Sequence, residues 1–135
     1  MMGDNIGKLN DILSILNEKH KNMENLMVFT KEMDKVVAAN DLESLGAVLS
    51  MRKESMDKID ALNADISKIL AGMDQPDMER AKNILAPDAD PAIPGNRVET
   101  DILETNRMTR ALLKKIIDLD KEINDRIKRD ADVKA

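Results

Sequence analysis

The chain holds 135 residues, a length that suits one domain rather than two. Lysine and arginine number 21 against 26 aspartates and glutamates, and the resulting charge of −5 argues against a dedicated nucleic-acid binder. The absence of cysteine excludes disulfides and thiolate metal sites, while 35% charged residues beside a single aromatic, Phe29, disfavour a β protein.

A first helix is predicted over about 5–39. Ile6, Leu9, Leu13, Leu16, His20, Met23, Met27 and Thr30 step by threes and fours, the spacing of one helix face. Ile12, Leu26, Met33 and Val37 widen this stripe, and Ile15, Phe29 and Val36 recur along its flank. Two apolar strips suit a bundle member touching two neighbours. Asn40 punctuates next, and its spacing to Glu43 reads as a capping pair, with Asp41 at the positive end of a new helix.

The second helix is predicted over about 41–71, with Leu42, Leu45, Leu49, Arg52, Met56, Ile59, Asn63, Ile66 and Leu70 as its stripe. Each long helix would measure about 45 Å at about 1.5 Å per residue. The short break favours an antiparallel hairpin. Because asparagine is a weak breaker, one kinked helix of about 65 residues is the alternative.

All four prolines (Pro76, Pro87, Pro91, Pro94) fall in the link 72–96. Gly72 suits a left-handed helix end. Asp74-Gln75-Pro76 can open a short helix over Asp77 to Leu85. Pro87 to Gly95 reads as a loop, and its Asp88 and Asp90 as solvated rather than calcium-binding. A third long helix is predicted over about 97–130, before a frayed tail from Asp130 to Ala135. Its core stripe is Val98, Ile102, Thr105, Met108, Leu112, Ile116, Leu119, Ile123 and Ile127. Leu103, Leu113 and Ile117 fall outside that stripe, on the flank shared with Asn106.

The expected fold is therefore all-α. It is one helical domain over 1–135, a long antiparallel hairpin joined to a third amphipathic helix in a coiled-coil-like three-helix bundle. His20, Arg52 and Asn63 interrupt the seams and read as register-setting polar residues. In a hairpin turning at Asn40 their neighbours would be Asp60 for His20, Asn17 for Asn63 and Thr30 for Arg52. The ten methionines read mainly as core filling. No phosphate loop, nucleophile elbow or paired-histidine metal motif occurs, so neither an enzyme nor a cofactor or metal is expected. No apolar run reaches the roughly 18 residues of a membrane helix, and the amino terminus lacks a secretory pattern, so membrane insertion is not expected.

Asn40-Asp41-Leu42-Glu43-Ser44-Leu45, continuing through Leu49 and Arg52-Lys53 to Met56, Ile59, Leu62 and Ile66, resembles the flagellar export chaperones of the FlgN type. So does Asn106-Arg107-Met108-Thr109-Arg110-Ala111-Leu112-Leu113 in the last helix. The resemblance runs from about Leu9 to Ile127, and the chain ends sooner than longer members of the family.

That resemblance implies a cytoplasmic chaperone that keeps hook-associated subunits unassembled and delivers them to export-gate components. In the family the last helix carries much of substrate binding, which here falls on Leu112, Leu113, Ile116, Ile117, Leu119 and Ile123. The leftover flank, Leu103, Asn106, Leu113 and Ile117, extends that candidate surface. The competing expectation is a coiled-coil structural or adaptor protein that pairs with itself. Whether free chains form a homodimer is left open by the sequence.

Overall fold

A two-residue device at Asn40 and Asp41 separates the first two helices. The computed structural model describes residues 2–134, with side-chain surroundings for 5–130. Helix α1 spans Met2–Ala38. Asn40 takes a left-handed conformation (φ 55°), its N–H donates to Val37 O and the Asp41 N–H to Val36 O. These two bonds satisfy carbonyls that a helix end leaves open, and asparagine tolerates the conformation better than other side chains. Asp41 then caps α2 (Leu42–Ala71), its Oδ1 accepting from the Ser44 N–H at 3.1 Å. That bond holds the Asp41 carboxyl below its ordinary range. The cap expected of Asn40 with Glu43 is thus made one residue later by Asp41 with Ser44, because Asn40 is used to stop α1.

Gly72 ends α2 in a right-handed conformation (φ −86°), not the expected left-handed one, with its N–H on Lys68 and Ile69 carbonyls. Lys8 of α1 donates to Gly72 O, placing a cation at the negative end of α2. Helix α3 spans Gln75–Leu85, two residues longer at its start than expected, because Pro76 is tolerated in a first turn. Asp90 closes the following turn by accepting from the Ala92 N–H.

Helix α4 spans Arg97–Lys134, so the segment expected to fray from Asp130 continues as helix through Lys134. Its start is tightly built. Asn96 Oδ1 accepts from the Glu99 N–H at 2.8 Å, and Glu99 Oε1 accepts from the Gly95 N–H at 2.9 Å. This reciprocal arrangement is close to a capping box. Arg80 of α3 clamps the same carboxylate at 2.6 and 3.0 Å and also donates to Ile93 O. Glu99 is only 3% exposed, and its bond from Arg80 holds its carboxyl below the usual range.

A carboxyl with a depressed pKa stabilises the fold above the ordinary carboxylate range and loses that effect as pH falls through the depressed value. Glu99→Gln is therefore expected to cost about 1–2 kcal/mol at neutral pH, discounted for the exposed Arg80. The gap from the parent chain should close in acid, which melting curves across pH would record.

Helix α1 lies at the centre and packs along both α2 and α4, while α3 touches α2 and α4. The core forms three layers. One contains Leu9, Ile12 and Leu16 with Ile66, Ala81, Ile84 and Ile102. The next holds Met23, Leu26, Ile59 and Ile116, and the last Met33, Val36, Val48 and Ile123. Ascending α1, the α2 contributions descend and those of α4 ascend.

His20 and Arg52 each find a partner on α4, which the expected α1–α2 register does not supply. His20 Nδ1 lies 3.0 Å from Thr109 Oγ1, not beside Asp60. Arg52 reaches Asp120 at 2.8 and 2.9 Å and Met33 Sδ at 3.2 Å, not Thr30. Thr30 instead donates to Leu26 O in its own helix, which lets a buried hydroxyl sit at a close approach. Asn63 is exposed and has no place in the interior.

Candidate docking surface

Helices α2 and α4 both lean on α1 but barely on each other, which leaves a groove between them with α1 as its floor. Near the junction of α1 and α2 it is lined by Val37, Leu42, Leu45 and Ile127. Further along, Leu49 and Arg52 of α2 face Asp120 and Asn124 of α4 over Met33. At the far end Asn63 and Ser67 of α2 face Asn106 and Arg110 of α4 over Leu16 and Lys19, and Leu85 closes the line. The Arg52–Asp120 pair crosses the groove, and Arg126 of α4 binds Asp34 of α1 behind it.

The candidate residues on α4 divide sharply. Ile116 and Ile123 are core residues packed against α1. Leu112 and Leu119 are half-buried at the edges of the same layers. Leu103 and Asn106, expected on a free flank, are buried: Leu103 joins Ala81 and Ile84 of α3, and Asn106 donates to Leu85 O at 2.9 Å. The reason is α3 itself, which lies over the first turns of that flank. Leu113 and Ile117 remain open, at 38% and 56% exposure. Ile117 stands three residues before Asp120 and seven before Asn124, so it shares the face those residues turn toward the groove.

The opposite wall was not anticipated. Leu49 and Met56 of α2 are 45% and 41% exposed, and Leu42 more so. Their sevenfold spacing through Asn63 to Leu70 is the strip read from the sequence as the core seam of α2. Of the expected stripe α2 buries Ile59 and Ile66, and it adds Val48 and Ser55 from the neighbouring strip. Small Ser55 is buried, while the larger Leu49 and Met56 are turned outward.

Charge is unevenly placed along this surface. Lys19 and Arg110 meet at the inner end, and neither has a carboxylate partner among the described residues. Burial and the positive charge of Arg110 hold the Lys19 ammonium below its usual range. Among the described residues no cluster of histidines or carboxylates could hold a metal, and no helix is long and apolar enough to cross a membrane. The surface presents exposed aliphatic side chains with two cations at its inner end. No protein-family model, curated protein or solved structure matches this chain.

Proposed function

We propose that the chain is a helical hairpin with a third long helix beside it, acting in the cytoplasm as an export chaperone of the FlgN type. It would hold hook-associated flagellar subunits unassembled and pass them to export-gate components, by binding and without catalysis. The opposed order of the α2 layers supports the hairpin. The observation that carries the functional reading is the apolar strip of Leu113 and Ile117, left outside the core while Ile102, Leu103, Ile116 and Ile123 of the same helix are buried. A helix bound there would lay its apolar face against α4, the common mode of helix-in-groove recognition. Leu112, Ile116, Leu119 and Ile123 serve as the packing that holds this strip in place.

The test mixes the full chain with a purified hook-associated subunit and measures the mass of the complex by light scattering. A one-to-one complex is expected, weakened about ten-fold or more by Ile117→Asp, an exposed change that leaves the melting curve within about 0.5 kcal/mol of the parent. Failure to form any complex would remove the chaperone reading.

Self-pairing is the second reading, favoured by one observation: Leu42, Leu49 and Met56 repeat every seven residues on an open face, as in a coiled-coil seam. A dimer of the chain alone that dissociates with Leu49→Asp would select it.

A further inference from the structure

The groove has a built-in example of what it accepts. Helix α3 already lies between α2 and α4, burying Ala81 and Ile84, and stops at Leu85. Beyond Leu85 the same seat continues without an occupant from the described chain, from Asn106 to about Ile127 on α4. That stretch is about 30 Å, the length of a helix of about 20 residues.

Polarity along the seat is graded. Its inner end holds Lys19 and Arg110 with Asn63 and Ser67, a cationic and hydrogen-bonding corner. Between the ends the Arg52–Asp120 pair crosses the seat, and exposed aliphatic side chains flank it, Leu49 and Met56 on α2 and Leu113 and Ile117 on α4. Just outside Ile117 on α4 come Lys114, Lys121 and Lys128, at sevenfold spacing and so in one row. None of the three is in an ion pair among the described residues. The opposite outer face of α4 is mixed, with Glu104, Lys115, Glu122 and Arg129. A chain of net charge −5 thus carries a lysine row beside Ile117, with Asp118 and Asp125 on the strip behind it.

We propose that the α2–α4 groove seats an acidic amphipathic helix of a partner protein. Its aliphatic face lies on Leu49, Met56, Leu113 and Ile117, its flanking carboxylates meet the Lys114–Lys121 row, and one carboxylate reaches Lys19 and Arg110. This rests on the reading of the surface as a docking site and adds the chemistry of the segment that docks. Carboxylates suit the inner corner because a charge-assisted bond there compensates two cations that otherwise repel. Like-charged helices are refused by the same corner.

Two synthetic helical peptides of about 20 residues provide the test. Both carry leucines at helical spacing and one tryptophan, and they differ only in glutamate or lysine flanks. The chain has no tryptophan or tyrosine, so the peptide's fluorescence alone reports binding. The glutamate peptide should bind about ten-fold tighter or more at low salt, with the gap narrowing as salt rises. Lys114→Glu with Lys121→Glu should abolish or reverse the preference. Leu49→Asp with Ile117→Asp should remove binding of both peptides while the melting curve holds.

Equal binding of the two peptides would overturn the proposal, as would a preference that survives the lysine reversal. So would a groove filled by a second copy, seen as a dimer that the Leu49→Asp, Ile117→Asp variant dissociates. Capture of a hook-associated subunit without any acidic preference would defeat this inference alone. An acidic preference without such capture would defeat the chaperone reading alone.

Discussion

Asp120→Ala is expected to destabilise the protein by about 3 kcal/mol, with a fall in melting temperature on the order of 10 °C. Arg52 has a side chain only 11% exposed, and its Nε is buried without a hydrogen-bond partner, so Asp120 and Met33 Sδ are the groups its guanidinium meets. Removing the carboxylate leaves a guanidinium only 11% exposed without its counter-charge. The double change Arg52→Met with Asp120→Leu should recover most of the loss, since apolar residues can replace such a pair at little cost. Chemical denaturation of the three variants checks both statements. If the single change costs no more than an exposed substitution, the pair is not the tie across the groove.

Ile123→Ala carries the second large effect, about 3 kcal/mol, because the side chain is fully buried in the last core layer. Its consequence for docking should nevertheless be small at 25 °C, since a residual stability of several kcal/mol keeps nearly every molecule folded. Ile117→Asp should show the reverse: unchanged melting and lost docking. Measuring melting and partner binding on both variants separates packing from contact. Equal loss of docking in both would mean that Ile123 leaves the core when a partner binds.

The sequence was informative about where helices begin and end, and less so about which strip each turns inward. Prolines, Gly72 and Asn40 punctuate the chain because their backbone preferences are local. Spacing by threes and fours establishes that α2 has an aliphatic strip. It does not choose between neighbouring strips, and the packing preferred Val48 and Ser55 over the larger Leu49 and Met56. For the same reason His20 and Arg52 were legible as interior polar residues, but their partners Thr109 and Asp120 come from a helix about 70–90 positions away along the chain.

On α4, Leu113 and Ile117 were read correctly as lying outside the core stripe, because both lie beyond the turns of α4 that α3 covers. Leu103 and Asn106 were not, because nothing in periodicity announces that α3 folds over them. Lys19 and Arg110, which lack a carboxylate partner among the described residues although Arg110 donates to Leu85 O, lie far apart in sequence and meet only when α1 and α4 are side by side.

The central claim is that a partner occupies the open strip between α2 and α4, and the chain's lack of cysteine makes this directly measurable. Single-cysteine variants Met56→Cys and Ile117→Cys report on the two walls, and Val28→Cys, at an exposed position of α1, serves as control. Thiol labelling is timed with and without a saturating hook-associated subunit. The account predicts slowing of about ten-fold or more at 56 and 117 with an unchanged rate at 28. A stable complex that leaves all three rates unaltered would contradict it.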